Sequence, residues 1–335
     1  MGVYIKYSEY YLPDKIVSNK EMATEHPEWD VDKASSKSGV LNRHISGASE
    51  TAFDLAIKAT DKLFQSNDIE MNQISGIIFC TQSPNHIMPQ NSFLIHKHYK
   101  FSQNVWSFDY SLACSGFIVG LSIARGMIET GLGENILLIT SETYSKYINP
   151  NDRSTNILFG DGAAATVISK SDIDRVIDIK ISSNGAKFET FYIPAGGSKM
   201  PKDEKTCVNI KDQSGNIKSL ENIHMNGFAV WQFISKNVSE QIIDLLSKNH
   251  LKIEDIDLFV FHQASKMTLD SLVKMLKIDS EKSYTNIENI GNTVSASIPI
   301  ALKDAVYEGK LKRGDLILLS GFGVGLSWGS IIMKY

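Results

Sequence analysis

The stretch Phe108-Asp109-Tyr110-Ser111-Leu112-Ala113-Cys114-Ser115-Gly116-Phe117-Ile118-Val119-Gly120 joins the end of an apolar strand to the start of an apolar helix, with one cysteine at the junction. A thiol there stands beside the unpaired N–H groups and positive dipole end of a helix, which favours thiolate. The small residues Ala113, Ser115 and Gly116 leave room for a substrate to approach. Taken alone, the stretch describes a small buried cysteine at least as well, since burial is the commonest fate of a free thiol. The rest of the chain decides between the two.

Working outward, residues 105–110 read as a strand and residues 115–130 as a helix that is apolar nearly all round, and so central. Residues 74–81 and 135–140 are continuous apolar runs, the mark of strands covered on both faces. Residues 3–7 read as a short strand. A helix starts near Ser18 or Asn19, which serves as its cap. Residues 25–37 are polar and loop-like. Residues 52–64 carry apolar side chains at helical spacing. Residues 171–222 are polar, with weak alternation at 176–182, and read as a connection or cap. Beyond them come an amphipathic helix at 228–246, a strand at 256–261, helices at 265–276 and 297–307, and strands at 316–319 and 326–333. Strands and helices alternate, so the class is α/β.

The pattern also repeats. Ile74-Ser75-Gly76-Ile77-Ile78-Phe79-Cys80 parallels Ile256-Asp257-Leu258-Phe259-Val260-Phe261-His262, and Glu134–Leu138 parallels Asp315–Leu319, both at an offset of about 180 residues. The same offset sets the Cys114 stretch against one beginning near Ser295. The chain therefore reads as two similar halves, residues 1–170 and 171–335, whose equivalent strand ends meet where sites form.

Three polar residues lie just past apolar strands or at helix starts: Cys114 in the first half, His262 and Asn292 in the second. Each alone has a plain structural explanation, a strand-end histidine or a Gly-Asn turn. Together they have a chemistry. A thiolate attacks a carbonyl, and His and Asn donate hydrogen bonds to a developing oxyanion or enolate. The glycine-rich Phe322–Gly329 turn offers further backbone donors. It is no dinucleotide fingerprint, because no helix follows it.

Composition narrows the field. Apolar content of 42% and charged content of 21% are ordinary for a globular protein, and a net charge of -4 argues against a general nucleic-acid or anionic-membrane binder. Three widely spaced cysteines make neither a disulfide framework nor a metal site, and no leader-like or membrane-length apolar run is visible. A reducing cytoplasm is the expected compartment.

The ordered motifs Ser38-Gly39-Val40 with Arg43, Ala113-Cys114-Ser115-Gly116, Asp152-Arg153-Ser154-Thr155, Leu158-Phe159-Gly160-Asp161-Gly162-Ala163, Met225-Asn226-Gly227, His262-Gln263-Ala264, Gly291-Asn292-Thr293 and Gly323–Gly329 resemble the β-ketoacyl-acyl-carrier-protein synthase III family of the thiolase-like superfamily. The resemblance implies a five-layered αβαβα fold and a homodimer. It implies that Cys114 is the acylated nucleophile and that His262 and Asn292 bind the malonyl thioester carbonyl and stabilise the enolate left by decarboxylation. The backbone N–H groups of Cys114 and Val324 would form the oxyanion hole. Arg153 would contact the coenzyme A nucleotide, Phe159 would line the acyl channel, and Lys37, Asn226 and Ser265 would contact substrate. Met88, where an aromatic is usual, would reach across the dimer into the partner's acyl pocket. Acyl carrier protein and acyl-coenzyme A are the implied partners, with no metal or redox cofactor.

Several positions depart from the family pattern: Ser265 stands for Asn, Met267 for a basic residue, Lys37 for Arg, and Trp29 lies several residues early for stacking on adenine. The competing readings are an acyltransferase of the same fold with an amine or hydroxyl acceptor, a cysteine hydrolase, and a non-catalytic partner subunit. Asn292 favours condensation over transfer, the internal duplication has no place in the hydrolase, and the retained cysteine argues against the silent subunit.

Overall fold

The computed structural model describes residues 2–335. Two five-stranded mixed sheets form its frame. The first contains β1 (Gly2–Tyr11), β2 (Gly76–Cys80), β3 (Trp106–Tyr110), β4 (Asn135–Glu142) and β5 (Gly162–Ser171), in the order β1-β5-β4-β2-β3. The second contains β6 (Val176–Ser183), β7 (Leu258–Phe261), β8 (Ser283–Tyr284), β9 (Leu316–Gly323) and β10 (Ser327–Lys334), in the order β6-β10-β9-β7-β8. The two orders are the same in chain sequence, so the repeat read from the apolar runs corresponds to a repeated topology.

Side-chain alternation assigns the layers. In β2, Ile78 faces inward to the space between the sheets, while Ile77 and Phe79 face outward under the helix Ala52–Ser66. In β7, Val260 faces inward and Phe259 and Phe261 face outward, under Ser239–Lys248 and Lys266–Leu276. Between the sheets lie α1 (Gly116–Glu129) and α2 (Ser297–Tyr307), whose Phe117, Ile118, Leu121, Ile298, Ala301 and Leu302 are buried together. Each such large apolar side chain contributes roughly 1.5–3 kcal/mol on burial. The result is helix, sheet, helix, sheet, helix. Pro299 is accommodated in the first turn of α2, where its missing N–H has no helical partner to lose.

Two expectations need correction. Val176–Ser183 is no part of a cap: it pairs antiparallel with β10 along its length and forms one edge of the second sheet. Its half-exposed edge position kept its alternation weak. Residues 25–37 are no simple loop, since Val31–Ser38 is a helix. Asp30 caps its start by accepting from the Lys33 N–H at 3.0 Å, and Gly39 ends it at φ 74°, a conformation that glycine adopts without cost. Only Val31 and Ser38 of this helix are buried, so the apolar periodicity is faint. The expected long helix after residue 227 forms as Gly227–Phe233, a π turn at Ile234–Val238, and Ser239–Lys248. No helix among the described residues is long and apolar enough to cross a membrane.

Candidate active site

A cavity of about 440 Å³ reaches from a charged mouth at Asp30, Lys33, Lys37 and Arg153 to Cys114, His262 and Asn292. Three residues far apart in sequence are thus brought to one space by the docking of the two halves.

Cys114 precedes α1, with Ser115 at the N-cap position but its side chain making no capping bond. The cysteine is 4% exposed. Burial pushes its thiol up, and the charge of Glu142 adds to that, while the backbone N–H groups of Cys114 and Val324 face the sulfur and oppose both. Burial thus opposes the preference for thiolate that the helix end gives. The turn that carries Val324 comes close because residue 323 is glycine. A Cβ there would lie 2.9 Å from both Cβ and Sγ of Cys114. Ser115 and Ser327 tie the two turns with an Oγ–Oγ bond of 2.7 Å.

His262 follows β7 and is fully enclosed. Burial drives its pKa down to about 3, only partly opposed by a bond to the Val294 backbone, so the ring is neutral at physiological pH. Its Nδ1 lies 2.7 Å from the Ser297 hydroxyl, which also accepts the Gln263 N–H at 3.4 Å. Donation from Ser297 to Nδ1 would leave the ring proton on Nε2, the nitrogen beside Asn292. The Asn292 amide is oriented by its own backbone neighbour: Oδ1 accepts the Val294 N–H at 2.9 Å, which turns Nδ2 toward Nε2 of His262 at 3.4 Å and the Ala264 carbonyl at 3.3 Å. The Asn292 backbone is held by the first half. Its N–H donates to Leu158 at 2.9 Å, and its carbonyl accepts from Gly160 at 3.0 Å.

Lys37, Arg153, Phe159 and Ser265 line the cavity. Ser265 also caps the helix Lys266–Leu276, accepting from the Thr268 N–H at 3.2 Å. Two other positions expected to contact substrate do not line this cavity. Asn226 caps Gly227–Phe233 by accepting the Ala229 N–H at 3.0 Å, and its neighbours Met225 and Gly227 line the cavity instead. Met88 is 77% exposed and lies outside the cavity of its own chain. Trp29 stacks on His26 at 3.8 Å, which leaves that ring face occupied.

Sequence reasoning missed Ser297 and Glu142. Glu142 ends the apolar strand β4 and is fully buried. It accepts from Ser83 Oγ at 2.7 Å, Ser295 Oγ at 3.0 Å and the Gln82 N–H at 3.0 Å. Desolvation raises its pKa to about 7 despite these bonds. A carboxylate closing a strand that holds no other charge and opens on the apolar run Ile136–Ile139 was the available signal. The sign of its effect is testable. As Glu142 ionises through about pH 7, its charge makes the Cys114 thiolate harder to form, so Glu142→Gln moves the alkylation midpoint of Cys114 to lower pH. The rate of iodoacetamide modification against pH measures this, and an unchanged or higher midpoint contradicts it. Among the described residues, no cluster of three or more His, Cys, Asp or Glu is placed to hold a metal ion.

Models of the 3-oxoacyl-[acyl-carrier-protein] synthase III family match residues 108–185 and, for its C-terminal part, residues 246–335. The β-ketoacyl-[acyl-carrier-protein] synthase III of Campylobacter concisus is 36% identical over 97% of this chain and 94% of its own. The chain belongs to the 3-oxoacyl-[acyl-carrier-protein] synthase III family. The synthase III of Clostridium perfringens is likewise 36% identical, over 97% of this chain and 96% of its own. A crystal structure of a 3-oxoacyl-(acyl-carrier-protein) synthase III superposes with a TM-score of 0.97 at 34% identity, covering all of both chains. A priming β-ketosynthase from the R1128 polyketide pathway superposes at 0.86 with 27% identity, covering 99% of this chain and 96% of that one. Members of this synthase III family share the thiolase-like architecture found here.

Proposed function

We propose that the chain catalyses decarboxylative Claisen condensation of an acyl thioester with malonyl-acyl-carrier protein, in fatty-acid or polyketide synthesis. The observation that carries this reading is the convergence of Cys114, His262 and Asn292 on one cavity with a charged mouth. The Cys114 sulfur attacks the donor thioester carbonyl. The N–H groups of Cys114 and Val324 stabilise the oxyanion, and the donor thiolate leaves. The malonyl thioester carbonyl then sits between Nε2–H of His262 and Nδ2–H of Asn292. The C–C bond to the carboxylate breaks, CO2 departs, and both donors stabilise the enolate. The enolate carbon attacks the acyl-Cys114 carbonyl, the C–S bond breaks, and the sulfur leaves as thiolate and takes up one proton from solvent. The product is a 3-oxoacyl thioester on the carrier.

A histidine held neutral suits this role, because decarboxylation needs a donor that keeps its proton. The reading includes a homodimer in a cytoplasmic setting, with Met88 turned toward the partner's site, and requires no metal or redox cofactor. Arg153, Lys33 and Lys37 supply positive charge at the mouth for the phosphates of coenzyme A or of a phosphopantetheine arm. Incubation with an acyl donor and malonyl-carrier protein releases one CO2 per 3-oxoacyl product. Malonyl-carrier protein left intact, or acyl transfer to an amine without CO2, overturns the condensation in favour of simple acyl transfer.

A further inference from the structure

We propose that the hydroxyl pair Ser115–Ser327 is the positioning element of the oxyanion hole: it fastens the turn that carries the Val324 N–H to the helix start that carries Cys114. The proposal rests on Cys114 being the acylated residue.

The two N–H groups of the hole come from opposite halves of the chain. That of Cys114 stands just before α1, and that of Val324 lies in the tight turn between the antiparallel strands β9 and β10. Their separation therefore depends on how the two segments are joined. A Cβ at residue 321 would lie 2.5 Å from the Cys114 carbonyl oxygen, so glycine there lets the hairpin come close. The turn itself is loosely held by packing: Val324 is half-buried and Gly325 is exposed. Glycine stands on both sides of Val324, and Gly325 takes φ 129°, so neither neighbour restrains the donor as a side chain would.

Two sets of bonds hold the turn. In the first, Leu326 exchanges backbone bonds with Asn184, its N–H donating at 3.1 Å and its carbonyl accepting at 2.8 Å. These fasten the turn only to its own half of the chain. In the second, Ser327 Oγ donates to the Val324 carbonyl at 2.8 Å. That donation uses the one proton of the hydroxyl. In the 2.7 Å contact between the two hydroxyls, Ser115 is therefore the donor and Ser327 the acceptor. The bonds run from the residue after Cys114, through Ser327, to the residue whose N–H faces the sulfur. Both serines are buried, at 1% and 6% exposed. Ser115 occupies the N-cap position with helical backbone angles, φ -85° and ψ -5°, and its hydroxyl makes no bond to its own helix. A serine at that position ordinarily caps the first turn; this one reaches across to the other half. Removing the Ser327 hydroxyl deprives the Val324 carbonyl and the Ser115 hydroxyl of this partner, and the turn shifts to find others.

The test is single-turnover acylation of the full chain, read by intact mass, with acetyl-, butyryl- and octanoyl-coenzyme A and the same groups on carrier protein. The donor that loads the parent fastest is then used isotope-labelled at its carbonyl, and the infrared stretch of the acyl-enzyme carbonyl is recorded. In Ser327→Ala the acylation rate falls about tenfold, less than the roughly 10²–10³ that outright removal of one such donor costs. The carbonyl stretch moves to higher frequency, toward that of a thioester in water, because one hydrogen bond to its oxygen has weakened. Ser115→Ala shifts both readouts in the same direction, and the double variant is no slower than Ser327→Ala, since both serines act through one bond. A serine pair with a merely structural role lowers Tm and leaves the stretch in place, and that result overturns the proposal. So does an acylation rate in folded Ser327→Ala within about twofold of the parent, or single-variant losses that multiply in the double. Where Ser327→Ala does not fold, Ser115→Ala carries the same two readouts. Absence of any adduct in the parent across all donors strikes instead at the acyl-cysteine reading beneath it.

Discussion

Cys114→Ala eliminates the acyl adduct seen by intact mass and lowers condensation by about four orders of magnitude or more. The size follows from the site. Every other group near the reaction assists a covalent intermediate that only this sulfur forms. The N–H groups of Cys114 and Val324 face the sulfur, and an acyl carbonyl bound elsewhere does not meet them. Alanine is smaller than cysteine and the position is buried, so the loss comes from chemistry and not from unfolding; an unshifted Tm checks this. Cys207 is exposed and does not line the cavity, and Cys80 is buried with its thiol pushed up and bonded to the Leu112 carbonyl at 2.9 Å. An adduct that persists in Cys114→Ala would move the nucleophile elsewhere and undo the assignment.

Asn292→Ala separates the two half-reactions. Acylation of Cys114 continues, while CO2 release and product formation fall by about 10²–10³, the usual consequence of removing one preorganised donor. The loss is large because the amide is held from two sides, by Val294 on its oxygen and by Leu158 and Gly160 on its backbone, and pays no ordering cost during reaction. Asn292→Asp keeps an acceptor for the Val294 N–H yet puts negative charge against the developing enolate, so it performs no better than alanine. Single-turnover acylation followed by labelled malonyl-carrier protein reads both steps. Equal loss in both steps would assign Asn292 to the architecture of the pocket and remove it from the enolate site.

Much of this was legible from the chain. Continuous apolar runs such as Ile77-Ile78-Phe79 and its counterpart Phe259-Val260-Phe261 mark strands covered on both faces, and their spacing carried the duplication. The pairing of a strand-end histidine with a Gly-Asn turn could be read because both stand where apolar periodicity stops. What escaped were contacts that exist only after docking. Ser297 looks like an ordinary helix-start serine until its hydroxyl is seen 2.7 Å from His262. Glu142 carries no local sign that three hydroxyl-bearing residues and a backbone N–H from other segments will enclose it. Asn226 carries a second role that the motif did not show, since its Oδ1 caps the helix Gly227–Phe233.

The bridge between Phe159 and Asn292 also has a consequence in time. A ribosome adds about 5–20 residues per second, so Cys114 is made roughly 10–35 s before Asn292 and longer still before Val324. Through that interval the nascent first half carries a cysteine without the neighbours that later surround it. Until the last fifth of the chain has closed over the thiol, the Val324 N–H that faces the sulfur is absent and the oxyanion site is incomplete.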